Sequence, residues 1–71
     1  MTQCLVIYER ADDGGWGAYL PDLPGVVALG RSQDEAAKRM REALGAYVEE
    51  MATLGQALPA PIAVAEKVRV G

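Results

Sequence analysis

The chain has 71 residues, an apolar fraction of 51% and a formal charge of −3, with ten acidic against seven basic side chains. One hydrophobic core fits that length and two do not, so residues 1–71 are read as a single domain, without disulfides or the usual zinc sites because Cys4 is the only cysteine and histidine is absent. A mildly acidic chain with no basic block is ill suited to direct nucleic-acid binding, no apolar run approaches the ~18 residues of a membrane helix, and Met1-Thr2-Gln3 lacks a signal peptide's basic start, so a cytoplasmic protein is expected.

Gln3 to Glu9 is rich in β-branched and aromatic residues and predicts a first strand. It runs into Asp12-Asp13-Gly14-Gly15, where residues tolerant of positive φ let the chain reverse, and Trp16 to Leu20 predicts the returning strand. This glycine pair reads as a turn and not as a phosphate loop, because no further glycine spacing, lysine or helix start follows. Leu5, Val6 and Ile7 are consecutive and apolar, so the first strand is expected to be covered on both faces, one cover being a helix and the other a partner subunit.

Pro21-Asp22-Leu23-Pro24-Gly25 ends the second strand, since its prolines cannot donate ladder hydrogen bonds and its glycine is free to turn. Val26 to Leu29 predicts a short third strand, completing an antiparallel meander. Ser32 with Glu35 then makes a capping-box pattern, and Asp34 and Glu35 suit the positive end of a helix dipole. Ala36, Met40, Ala43, Leu44, Tyr47, Val48, Met51 and Leu54 recur at helical spacing as one apolar stripe. Asp34 with Lys38, Glu35 with Arg39 and Lys38 with Glu42 set opposite charges four apart on the solvated side. With Gly45 as an interior weak point and Gly55 as the C-terminal cap, the helix is placed at Gln33 to Leu54.

Pro59-Ala60-Pro61 reads as an extended elbow. Beyond it Ile62, Val64, Val68 and Val70 alternate with Ala63, Ala65, Lys67 and Arg69, interrupted by Glu66, and predict a half-buried last strand. The order is β-β-β-α-β: an α+β fold with a three-stranded meander, one long helix packed on one face and a last strand parallel to the first, giving strand order 3-2-1-4. A domain this small buries only ~60% of the surface its unfolded chain exposes, and its open sheet leaves edges that can recruit another strand. Self-association, to at least a dimer, is expected.

Catalytic groups are hard to assemble from these residues. Without histidine there are no Cys-His or Ser-His pairs, and Cys4 reads as a small core residue. Asp12, Asp13 and Asp22 lack dense ligand spacing and read as solvated turn residues, so no metal and no cofactor is expected. Tyr8, Trp16 and Tyr19 have few basic neighbours, which favours core or protein-interface packing over stacking on bases. With Asp22 they are the candidate partner-binding residues.

Trp16-Gly17-Ala18-Tyr19-Leu20-Pro21-Asp22-Leu23-Pro24-Gly25, followed by Gly30, Ser32, Asp34-Glu35-Ala36 and Glu42-Ala43-Leu44, resembles the N-terminal domain of HicB-like antitoxins. The resemblance runs from about Leu5 to Pro61. It implies a partial ribonuclease-H-like fold and a protein that binds a HicA-type mRNA-cleaving toxin and occludes its active site, without catalysis of its own. Ribonuclease H activity would need several metal-binding carboxylates on the strands, and Glu9 and Glu66 are the only strand acids. Val26 stands where many relatives carry cysteine, a change expected to affect packing only. Many relatives continue into an operator-binding domain, and with the chain ending at Gly71 operator binding is not expected. The alternative reading is a stand-alone homo-oligomer, structural or ligand-binding, that keeps this fold without a toxin partner.

Overall fold

Two glycine-bearing turns set the course of the sheet. In the computed structural model, which describes residues 3–71, β1 (Ile7–Arg10), β2 (Trp16–Tyr19) and β3 (Val27–Gly30) precede one helix, α1 (Gln33–Thr53). The strands pair antiparallel in the order β1-β2-β3, with Ile7 opposite Tyr19 and Tyr19 opposite Val27. Gly14 at φ +88° closes the first turn, helped by the Asp13 carboxylate accepting from the Gly15 N–H at 2.9 Å. Gly25 at φ +96° closes the second, where an L side chain would be strained.

β1 is shorter than expected at its start. In the observed register Val6 and Leu5 fall opposite Leu20 and Pro21, where β2 has ended, and proline offers no N–H to continue the ladder. The residues before β1 still pack: Cys4, Val6 and Tyr8 turn one side toward the core, which alternation along an extended chain requires.

α1 begins as its capping pattern predicts. The Ser32 Oγ accepts from the Glu35 N–H at 3.1 Å, and the Glu35 carboxylate reaches back to the Arg31 N–H at 2.8 Å, one residue before the cap. It ends in a Schellman arrangement: Gly55 at φ +69° donates to the Ala52 carbonyl at 3.1 Å and Gln56 to the Met51 carbonyl at 2.9 Å. Of the three charge pairs expected on its outer side, Glu35 with Arg39 forms at 3.7 Å; the other two are not ion pairs among the described residues.

The core is Ala18, Leu20, Leu23, Ala28, Ala36 and Met40, with Leu44 and Tyr47 packed against it. The helical stripe packs on the core as far as Tyr47. A 21-residue helix is about 31 Å long whereas a four-residue strand spans about 13 Å, so the last turns overrun the sheet and Val48 and Leu54 are exposed. α1 lies over β3 and β2 and reaches β1 least.

The expected fourth strand over 62–70 does not form. Residues 56–71 carry no regular structure, and the sheet has three strands among the described residues. A strand needs a ladder partner, and the start of this segment is committed elsewhere: Pro59 and Pro61 have no N–H, while the Ile62 and Ala63 N–H groups donate to the Asp22 carboxylate at 3.1 and 3.0 Å. Beyond that tether Val64, Val68 and Val70 are exposed. The longest dimension is 46 Å and the radius of gyration 13.7 Å, against about 11 Å for a compact domain of this length.

Candidate functional site

The sheet has two unlike faces, and strand register assigns each residue to one. Tyr8, Ala18 and Ala28 lie side by side on the inner face, as do Arg10, Trp16 and Gly30. Ala18 and Ala28 are buried here, with Tyr8 and Trp16 packed against them, while Arg10 is exposed. Ile7, Tyr19 and Val27 form one row of the outer face, and Glu9, Gly17 and Leu29 the next. No second layer lies over this face among the described residues: Tyr19, Val27 and Leu29 are 39%, 64% and 71% exposed. The consecutive Leu5, Val6 and Ile7 are therefore split, one into the core and two toward the side the domain leaves open.

Gly17 has no side chain between Glu9 and Leu29, which leaves a shallow cleft of about 370 Å³ running from the outer face to the first turn. Glu9 also acts on Tyr19. The phenol donates to its carboxylate and, with some desolvation and the nearby negative charge, this holds the Tyr19 pKa above its ordinary value. The contact is diagonal across β1 and β2, within reach of a long side chain on one face.

The four candidate partner-binding residues do not share one surface. Tyr8 and Trp16 are half-buried on the inner face and pack against the core. Tyr19 is exposed on the outer face. Asp22 sits in the turn after β2, where its Oδ1 accepts the two N–H groups of Ile62 and Ala63; its Oδ2 is buried with no partner among the described residues. Among the described residues no three acidic or cysteine side chains gather as a metal-binding group. No helix there is long and apolar enough to cross a membrane.

Three structural roles were not read from the sequence. Leu23, between two prolines, is buried and plugs the core from the turn, with its N–H donating to the Leu20 carbonyl at 3.1 Å. An apolar residue inside an otherwise polar turn was the available signal. Gly30 brings β3 against the start of α1, where an added Cβ would lie 2.5 Å from the Ala36 nitrogen. Arg39 joins the same two elements, its Nη1 donating to the Leu29 carbonyl at 2.8 Å. No local pattern marks either contact, because each depends on how helix and strand meet.

Comparison with known proteins agrees with this architecture. Residues 4–70 match the family described as HicB_like antitoxin of bacterial toxin-antitoxin system. The chain is 32% identical to the UPF0150 protein Ta0767 of Thermoplasma acidophilum over 54 residues, which are 76% of this chain and 78% of that protein. It superposes on the crystal structure of the N-terminal domain of Burkholderia pseudomallei antitoxin HicB with a TM-score of 0.72 and 30% identity, covering 83% of this chain and 69% of the other.

Proposed function

The chain belongs to the HicB-like antitoxin family, and on that premise we propose that it neutralises a HicA-like mRNA-cleaving toxin by binding over it, without catalysis of its own. The observation that carries this reading is the match over residues 4–70, together with the likeness in fold to an antitoxin domain at 30% identity. In this reading the protein works in the cytoplasm, where its toxin meets mRNA, and contacts a protein and not nucleic acid.

The outer face of the sheet is the surface we assign to the toxin. It is apolar along Ile7, Tyr19 and Val27, bordered by Glu9, and free of cover within the described residues. Interfaces favour an aromatic anchor of this kind, so of the candidate residues Tyr19 is the contact expected to matter most. Co-expression with the toxin encoded beside its gene tests the proposal: growth is rescued and the two proteins co-purify. Continued toxicity with no complex would sink it, and replacing Tyr19 by alanine is expected to weaken the complex while leaving the fold intact.

Self-association, at least to a dimer, belongs to the same reading. Among the described residues six hydrophobic residues are buried and nine large ones are exposed, a poor balance for so small a monomer. Light scattering at micromolar concentration is expected to give a mass at least twice the 7.5 kDa of the chain. A monomer there contradicts it.

A further inference from the structure

The last residues have the pattern of a strand and none of its partners. Val64, Val68 and Val70 fall on one side at 93%, 68% and 87% exposure, and Lys67 and Arg69 fall on the other. β-branched residues in alternation suit a ladder with one covered face, and such a segment left bare is an invitation to pair.

The two edges of the sheet are not equally open to it. β3 lies under the helix and has its Leu29 carbonyl bonded by Arg39 at 2.8 Å. β1 is the edge α1 covers least, and Val6 and Tyr8 beside it are only half-buried. A strand along β1 with its valines inward would cover those two residues and bring Lys67 and Arg69 to the outer side, where Glu9 is exposed.

We propose that residues 64–70 form this strand on β1 of a second copy, and that the second copy returns its own, so that two chains exchange their C-terminal strands. The proposal rests on the self-association reading and specifies the segment responsible. The chain itself points to a second copy as the acceptor. Asp22 fixes Ile62 and Ala63, and past that tether the tail joins no strand of its own sheet and leaves Val64, Val68 and Val70 exposed. Another copy offers the identical edge, and a reciprocal exchange closes with two-fold symmetry, leaving no free β1 edge.

Two measurements on the full chain test it. In the first, light scattering compares the native protein with the Val64→Asp/Val68→Asp variant. The native mass is expected to be at least twice 7.5 kDa and the variant's to fall to 7.5 kDa, with its helical circular dichroism unchanged because both valines are exposed within their own chain. In the second, Glu9→Cys and Lys67→Cys are made separately in a Cys4→Ser background and mixed with a short bifunctional thiol crosslinker. Linked pairs of the two different chains are expected to exceed those from either variant alone. A variant that stays dimeric overturns strand exchange while leaving self-association standing. Linking only within a chain that carries both substitutions also overturns it, since the strand then closes on its own sheet. A monomeric native protein overturns both readings.

Discussion

The two ends of this small domain solve the same problem in opposite ways. From β1 through the first half of α1, apolar side chains meet each other: Ala18, Leu20, Leu23 and Ala28 from the sheet and its turn close against Ala36 and Met40 from the helix. From Val48 onward no apolar side chain is fully buried, and Val48, Leu54, Ile62, Val64, Val68 and Val70 are exposed. The difference does not lie in hydrophobicity. It lies in geometry, because a helix more than twice as long as its strands and a tail tethered at Asp22 carry those residues beyond the reach of the domain's own core. Substitutions in the closed end should therefore cost folding, and those in the open end should cost association.

The largest loss is expected at Leu23 and Met40. Either one replaced by alanine removes a buried side chain and leaves a cavity, lowering stability by about 2–5 kcal/mol in urea denaturation. Gly30→Ala comes next, at about 1–3 kcal/mol, because the clash is with backbone and strand and helix must separate to relieve it. An unchanged midpoint for Gly30→Ala would show that β3 and α1 are less tightly joined than described.

Asp22 marks the border between the two ends, and its effect should be local. Asp22→Ala removes both acceptor bonds to the tail, so amide exchange at Ile62 and Ala63 is expected to quicken about tenfold or more while the core amides of β2 hold their protection. Ser32→Ala removes the cap bond to the Glu35 N–H and should cost about 1 kcal/mol of helix stability.

The pH dependence follows from Glu35. The hydrogen bond from the Arg31 N–H, opposed by slight desolvation and aided by Arg39, Arg31 and Lys38, holds its carboxyl below the usual carboxylate value. A depressed pKa stabilises the fold above the unfolded-state value, and this contribution is lost as pH falls through the folded value. A titration of thermal stability below pH 5 should therefore be less steep in Glu35→Gln than in the native chain. The smallest effect on folding is expected in the open end, where Val64→Thr should leave the unfolding midpoint of the monomer within about 0.5 kcal/mol.

The parts of the fold legible in advance are those set by neighbours in sequence. Asp12 to Gly15 and Pro21 to Gly25 encode reversals through residues that tolerate or impose particular φ values, and Ser32, Glu35 and Gly55 mark the two ends of α1 through their own hydrogen bonds. The candidate site was less legible. Residue type alone puts Tyr8, Trp16 and Tyr19 in one group, but register places Tyr19 on the face opposite the other two. Its place in the turn gives Asp22 the look of a contact residue, yet its carboxylate binds a segment forty residues further along the chain. Neither distinction exists until the strands are paired.

By itself, then, the sequence determined the element order as far as α1, both turns, the helix caps and the family, because each rests on local conformational preference or on a run of residues recognisable in one dimension. Tertiary structure alone decided that Leu23 belongs to the core, that Gly30 must lack a side chain, that the apolar stripe on α1 leaves the core after Tyr47 and that the alternating valines after Pro61 have no strand to pair with. Those outcomes depend on which surfaces come within contact distance, and alternation in a sequence records a strand's need for a partner without saying whether its own fold supplies one.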